Sequence, residues 1–306
     1  MAGSRFAPDR GLTGRMALTM FLLVLVYVAF IVGLVAVGLN IWLVLIIVAA
    51  FALFSYFSSD KIAMFAMGAK EVTPQQAPQL HALIDRLCAM ADMPKPRVGI
   101  ADTDVPNAFA TGHSQKTAVV CVTTGLLRRL EGPELEAVLA HELSHVAHRD
   151  VTVMTVAGFL GIVAGFLTQA GLRFAVFAGA SRGGNNNGPA PAVVALLVVV
   201  VSAIAWGLSF LLTRALSRYR ELAADRAAAH LTGRPSALGS ALTKITGDMA
   251  RIPSRDLRQV EPFNAFFFAP AFAKGFSLNS LIATHPPVEK RLEQLSEISR
   301  QLGRGA

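Results

Sequence analysis

A chain of 306 residues that is 53% hydrophobic and only 16% charged, with a mean hydropathy of +0.51, is not a soluble domain, which would carry more charge. It reads as a mostly α integral membrane protein with a polar part. The formal net charge of +8 fits contact with anionic lipid at a cytoplasmic face. Nucleic acid is excluded as a partner, because the basic residues are scattered and no stacking aromatics interleave with them. Cys88 and Cys121 form no metal-ligand pattern and suit a reducing compartment as small buried residues.

In chain order, residues 1–15 form a short basic segment with Arg5, Arg10 and Arg15. Apolar runs at about Met16 to Gly38 and Ile41 to Phe57 give a transmembrane hairpin over 16–58. A span needs about 20 apolar residues. A cleaved signal peptide is rejected for the first run, because it exceeds an ordinary apolar signal segment and a second run follows at once. The polar block 59–150 reads as an amphipathic helix at "PQLHALIDRLCAMADM", strands at "RVGIAD" and "TAVVCVTTGLL", and a third, edge strand at "NAFATG". A helix then starts at "EGPELEAVLAHELSHVAH", with Pro133 in its first turn.

Runs at about Val151 to Ala170 and Ala192 to Leu212 give a second transmembrane pair over 151–212. It is joined by an asparagine- and glycine-rich loop expected to lie outside and to be poorly ordered. The second polar block, 213–306, ends in a helix at "PPVEKRLEQLSEISRQL". Lys61, Lys70, Arg214, Arg218 and Arg220 flank the runs on one side, which makes that side cytoplasmic; Arg173 and Arg182 in the outer loop run against the bias.

His141 and His145 stand four apart, so a helix brings both imidazoles to one face as two ligands of one zinc. Glu142 lies about 100° around that helix, where it can act as a general base without ligating. A third ligand is needed. His148 shares nearly the same face, but on one straight helix it does not easily close a tetrahedron. Glu221 in "SRYRELAADRAAAH" is better placed, although read alone it is an ordinary surface glutamate flanked by arginines. Asp225, at i+4 from Glu221, can hold the distal N–H of a zinc-bound histidine. If the helices run on unbroken, His145 lies roughly 9 Å before the third run and Glu221 roughly 13 Å after the fourth. The two halves of the site then meet just under the membrane, with metal chemistry and apolar run on one helix.

"HELSH" followed by "SRYRELAAD", with "NAFATG", "TTGLL" and "THPPVEKRL" in order, resembles the M48 family of zinc metalloproteases, specifically its HtpX-like membrane-embedded branch. The resemblance covers nearly the whole chain. It implies four transmembrane helices plus a gluzincin-type α+β zinc protease domain with a small sheet. It also implies one Zn2+ per chain on His141, His145 and Glu221, with Glu142 as catalytic base. The implied activity is endoproteolysis of misfolded or membrane proteins, in quality control at the cytoplasmic (inner) membrane, with the active site facing the cytoplasm. In that light Asn107 and Ala108 read as a substrate-pairing strand edge, or as a turn after Pro106. His285 is a candidate fourth ligand or oxyanion donor, and Tyr219 and Arg220 are rival donors. The aromatic stretch around Phe266 reads by default as core.

Water activated by Glu142 attacks the scissile carbonyl, Glu142 then protonates the leaving amine, and no covalent intermediate is needed. No phosphate-binding glycine loop is present, so no nucleotide is expected. A scaffold retaining a structural zinc would not need Glu142, and a transporter would place ionisable residues inside the apolar runs. The sequence carries no signal for an oligomeric state.

Overall fold

The computed structural model describes residues 10–36, 40–180, 191–249 and 285–304. The aromatic stretch around Phe266 and the asparagine-rich loop lie outside these residues. In order the elements are α1 (Arg10–Ala36), α2 (Ile41–Ala66), β1 (Ala69–Glu71), α3 (Pro78–Ala91), β2 (Arg97–Ala101), β3 (Ala108–Thr111), β4 (Val119–Thr123), α4 (Thr124–Arg129), α5 (Gly132–Ala147), α6 (Asp150–Ala180), α7 (Pro191–Thr232), α8 (Pro235–Met249) and, last of those described, α9 (Val288–Arg304). The protein is thus mostly helical with one small mixed sheet.

The chain divides into two compact units. One consists of Met16–Tyr56 and Met154–Leu216, that is α1, most of α2, and the apolar lengths of α6 and α7. These helices are apolar on every side, as a helix must be when its surroundings are lipid. Phe21, Val28, Phe166, Leu196 and Trp206 are all exposed. Among the described residues, Gly11–Ala36, Asp150–Arg173 and Val193–Thr232 are helices long and apolar enough to cross a membrane. Small residues let them approach: a Cβ on Gly33 would stand 2.8 Å from Val201 and one on Gly171 2.7 Å from Val199. Tyr27 donates its hydroxyl to the Ala157 carbonyl at 2.6 Å, a polar tie of the kind that helps hold helices together in hydrocarbon.

The other unit takes in Phe57–Val153 and the chain from Ser217 onward. Its sheet has the order β1-β2-β4-β3. β2 and β4 are parallel, while β1 and β3 pair antiparallel at the two edges. β4 is buried along its length, as expected for a central strand of continuous Val, Cys and Thr. Leu80, Ile84 and Leu87 of α3, Val138, Leu139 and Leu143 of α5, and Leu238, Leu242 and Ile245 of α8 form one core with it. Leu295 and Ile298 of α9 join that core.

Three local expectations need correction. "TTGLL" does not continue the strand: Thr123 caps a new helix, accepting from the Leu126 N–H at 3.1 Å, and α4 begins at Thr124. Gly125 is required there, since a Cβ would fall 2.2 Å from the Asp104 carbonyl oxygen. β1 was not foreseen, because three residues give no readable alternation. Finally, the histidine-bearing helix does not run unbroken into the third apolar run. α5 ends at Ala147, His148 caps it, and Arg149 adopts a left-handed φ of 56° before α6 starts at Asp150. By contrast α7 is one helix of 42 residues through both its apolar and its polar halves.

Candidate active site

α5 is launched firmly. Glu131 and Glu134 form a reciprocal capping box and Pro133 occupies the first turn, where no N–H is missed. Glu134 also accepts from Ser240 at 2.6 Å and from Lys244 at 2.8 Å, which ties the helix start to α8. Two turns on, the His141 and His145 rings meet edge to face with centroids 4.8 Å apart. Their Nε2 atoms approach to 3.1 Å. From α7, Glu221 brings Oε1 to 3.5 Å from His145 Nε2 and Oε2 to 3.6 Å from His141 Nε2.

The outer nitrogens face carboxylates. His141 Nδ1 stands 2.9 Å from Asp225 Oδ1, and His145 Nδ1 stands 2.6 Å from Asp150 Oδ2. A carboxylate at Nδ1 keeps the proton on that atom and turns the Nε2 lone pair inward. Two lone pairs and a carboxylate then converge on one point, an arrangement that repels itself unless a cation lies between. Ligands about 2.0–2.1 Å from a tetrahedral zinc are on the order of 3.3 Å from one another, close to the separations above. His141, His145 and Glu221 are the group of ligand residues that could hold a metal ion among the described residues. Burial opposes protonation of His141, but Asp225 and Glu221 outweigh it and push the ring up to about 9. At His145 burial and the neighbouring His141 prevail and bring it down to about 4.

Glu142 is only 4% exposed, and burial raises its pKa against the pull of the two histidines. His285 is 5% exposed, with Nδ1 3.1 Å from Glu221 Oε2. Arg220 pairs with Asp150, and the Tyr219 ring lies under the Arg15 guanidinium at 6.0 Å. His148 is exposed and donates its Nδ1–H to the Ser144 carbonyl at 2.8 Å, serving its own helix end. Asn107 is buried where the edge strand β3 begins, its N–H donating to Thr123 Oγ1 at 2.9 Å, and Ala108 opens the strand.

Asp150 and Arg291 were not anticipated. Asp150 opens α6, and its sequence signal was an acidic residue at a helix start just after "HVAHR". Arg291 sits in the quoted "THPPVEKRL", yet nothing local distinguishes it from Lys290.

A two-histidine, one-carboxylate centre beside a buried glutamate, on an α+β frame continuous with membrane helices, is that of a membrane metallopeptidase. The chain belongs to peptidase family M48, whose model matches residues 74–299. It is 57% identical to "Protease HtpX homolog 1" of Streptomyces coelicolor, with 98% of this chain and 97% of the relative covered. It is 50% identical to "Protease HtpX homolog" of Moorella thermoacetica, with 96% of each covered. Among solved structures it resembles Ste24p of S. mikatae, with a TM-score of 0.55 at 17% identity. The match takes in 88% of this chain but spans only 62% of the length of that one, and it is a likeness of fold.

Proposed function

We propose that this metalloprotease is a zinc endopeptidase that cleaves misfolded or damaged membrane proteins, and unfolded soluble chains, on the cytoplasmic side of the inner membrane. The observation that carries the reading is the convergence of His141, His145 and Glu221 next to the buried Glu142. In this reading, the blocks 59–150 and 213–306 build one protease domain, and the pairs 16–58 and 151–212 supply four spans.

A zinc ion held by this set supplies Lewis acidity, polarising a peptide carbonyl and making water more acidic. Glu142 takes the proton from the attacking water and delivers it to the leaving nitrogen. Asp225 and Asp150 hold the two histidine rings in orientation and tautomer. His285 is the side chain best situated to donate to the developing oxyanion, since it stands 3.1 Å from the proposed ligand Glu221 while Arg220 is paired with Asp150. The outer edge of β3, entered through Asn107 and Ala108, pairs with an extended substrate by strand addition.

Metal analysis of the purified protein is expected to give one zinc per chain. A mixture of unfolded membrane proteins should be cut, with new termini that can be mapped. Glu142→Gln should keep the zinc and lose roughly 10²–10⁴-fold in rate, whereas His145→Ala should lose both. Full proteolysis by zinc-loaded Glu142→Gln would overturn the mechanism.

A further inference from the structure

Arg291 has no part in the chemistry above, yet it is the bulkiest fully buried side chain among the described residues, 0% exposed. A guanidinium removed from water is destabilising unless its donors are matched. Here they are. Nε donates to Asp225 Oδ2 and Nη2 to Asp225 Oδ1, both at 2.7 Å. Nη1 stands 3.6 Å from Glu221 Oε2. Asp225 Oδ1 is the same oxygen that faces His141 Nδ1 at 2.9 Å.

We propose that Arg291 is a positioning residue for the metal centre, locking Asp225 in the plane that orients His141 and compensating the charge of Glu221. The inference rests on the reading of His141, His145 and Glu221 as zinc ligands. Glu221 and Asp225 lie one turn apart on α7, so two buried carboxylates would repel each other and each would be free to turn or take up a proton. Arg291 comes from α9, near the far end of the chain, and α9 is itself fixed by Leu295 and Ile298 in the core. A planar fork that takes both oxygens of Asp225 fixes the carboxylate's rotation, which a lysine ammonium, a point charge, does not. The last helix thereby becomes part of the zinc site without contributing a ligand.

The test is zinc affinity per folded chain, measured by chelator competition on full-length protein in detergent. The set is wild type, Arg291→Lys, Asp225→Asn, their double variant, and Arg300→Lys as a control on the exposed side of the same helix. Arg291→Lys is expected to weaken zinc binding by ~10–100-fold, as loss of outer partners does. The double variant should be no weaker than the weaker single, because Arg291 acts through Asp225. Arg300→Lys should match wild type. A purely structural arginine would change the folded fraction but not the affinity of folded chains. Wild-type affinity in folded Arg291→Lys, or losses that multiply in the double variant, would overturn the proposal. If Arg291→Lys does not fold, Arg291→Gln, which keeps a planar donor but cannot take both oxygens of Asp225, decides the matter: weakened zinc binding per folded chain supports the proposal and wild-type affinity overturns it. A wild-type chain with no zinc affinity would instead overturn the metal assignment itself, and this inference with it.

Discussion

At the scale of single residues, the candidate site is built in layers of alternating charge. Two imidazoles face two carboxylates, and each carboxylate faces a buried arginine: Asp225 meets Arg291, and Asp150 meets Arg220. The inner pair was legible, since a four-residue spacing on any helix puts His141 and His145 together. Asp150 was not, because its proximity to His145 depends on the left-handed turn at Arg149, a conformation that an arginine side chain does not announce. Asp150→Asn removes the negative charge behind His145 and leaves one acceptor oxygen where two served His145 and Arg220. Zinc affinity is expected to fall by ~10–100-fold, measured by the same chelator competition. Unchanged affinity would show that Asp150 serves only the helix start.

At the scale of elements, α5 holds two of the proposed ligands, so its start sets their register. The Glu134 carboxyl is held below the ordinary glutamate range: burial opposes its ionisation, but Lys244, Ser240 and the Glu131 N–H outweigh that. Its folded pKa is depressed, so its contribution to stability is present above the unfolded value and is lost as pH falls through the folded value. Gln can still close the capping box but loses the charge that meets Lys244, so Glu134→Gln should lower stability near neutrality by up to about 1 kcal/mol, the range of a partly screened ion pair. The gap in melting temperature between variant and wild type should close in acid. A gap that stays constant across that range would argue against the ionised carboxylate as its source. Among the other elements, β4 and α5 were readable from their patterns. The strand-to-helix change at Thr123 was not, because β-branched residues serve equally as strand and as cap.

At the scale of the whole molecule, the chain from Phe57 to Val153 and the chain from Ser217 onward build one unit, and His145 and Glu221 meet within it at 3.5 Å. The intervening segment therefore leaves and returns on one side of any bilayer, crossing it an even number of times. On the proposed orientation, with the basic flanks cytoplasmic, a cysteine at Asn186 should be labelled by an impermeant reagent in intact cells, and one at Ser299 only after lysis. The native thiols Cys88 and Cys121 are both buried, so they should add little background. An Asn186 probe protected in intact cells would mean that the third and fourth runs do not span.

The sequence by itself determined what depends on composition and on short period. Mean hydropathy set the membrane class, the four-residue spacing set two imidazoles on one face, and the ordered motifs set the family. Only the tertiary structure decided what depends on bringing distant segments together. It brought Glu221, which the family resemblance had already named as a ligand, within 3.6 Å of two histidines some 80 residues earlier, put Asp150 behind His145 through a single left-handed residue, and buried Arg291 of the last helix against Asp225. Local patterns record a residue's own helix or strand. A buried ion pair is fixed by the packing of elements far apart in the chain, and no window of neighbouring residues contains it.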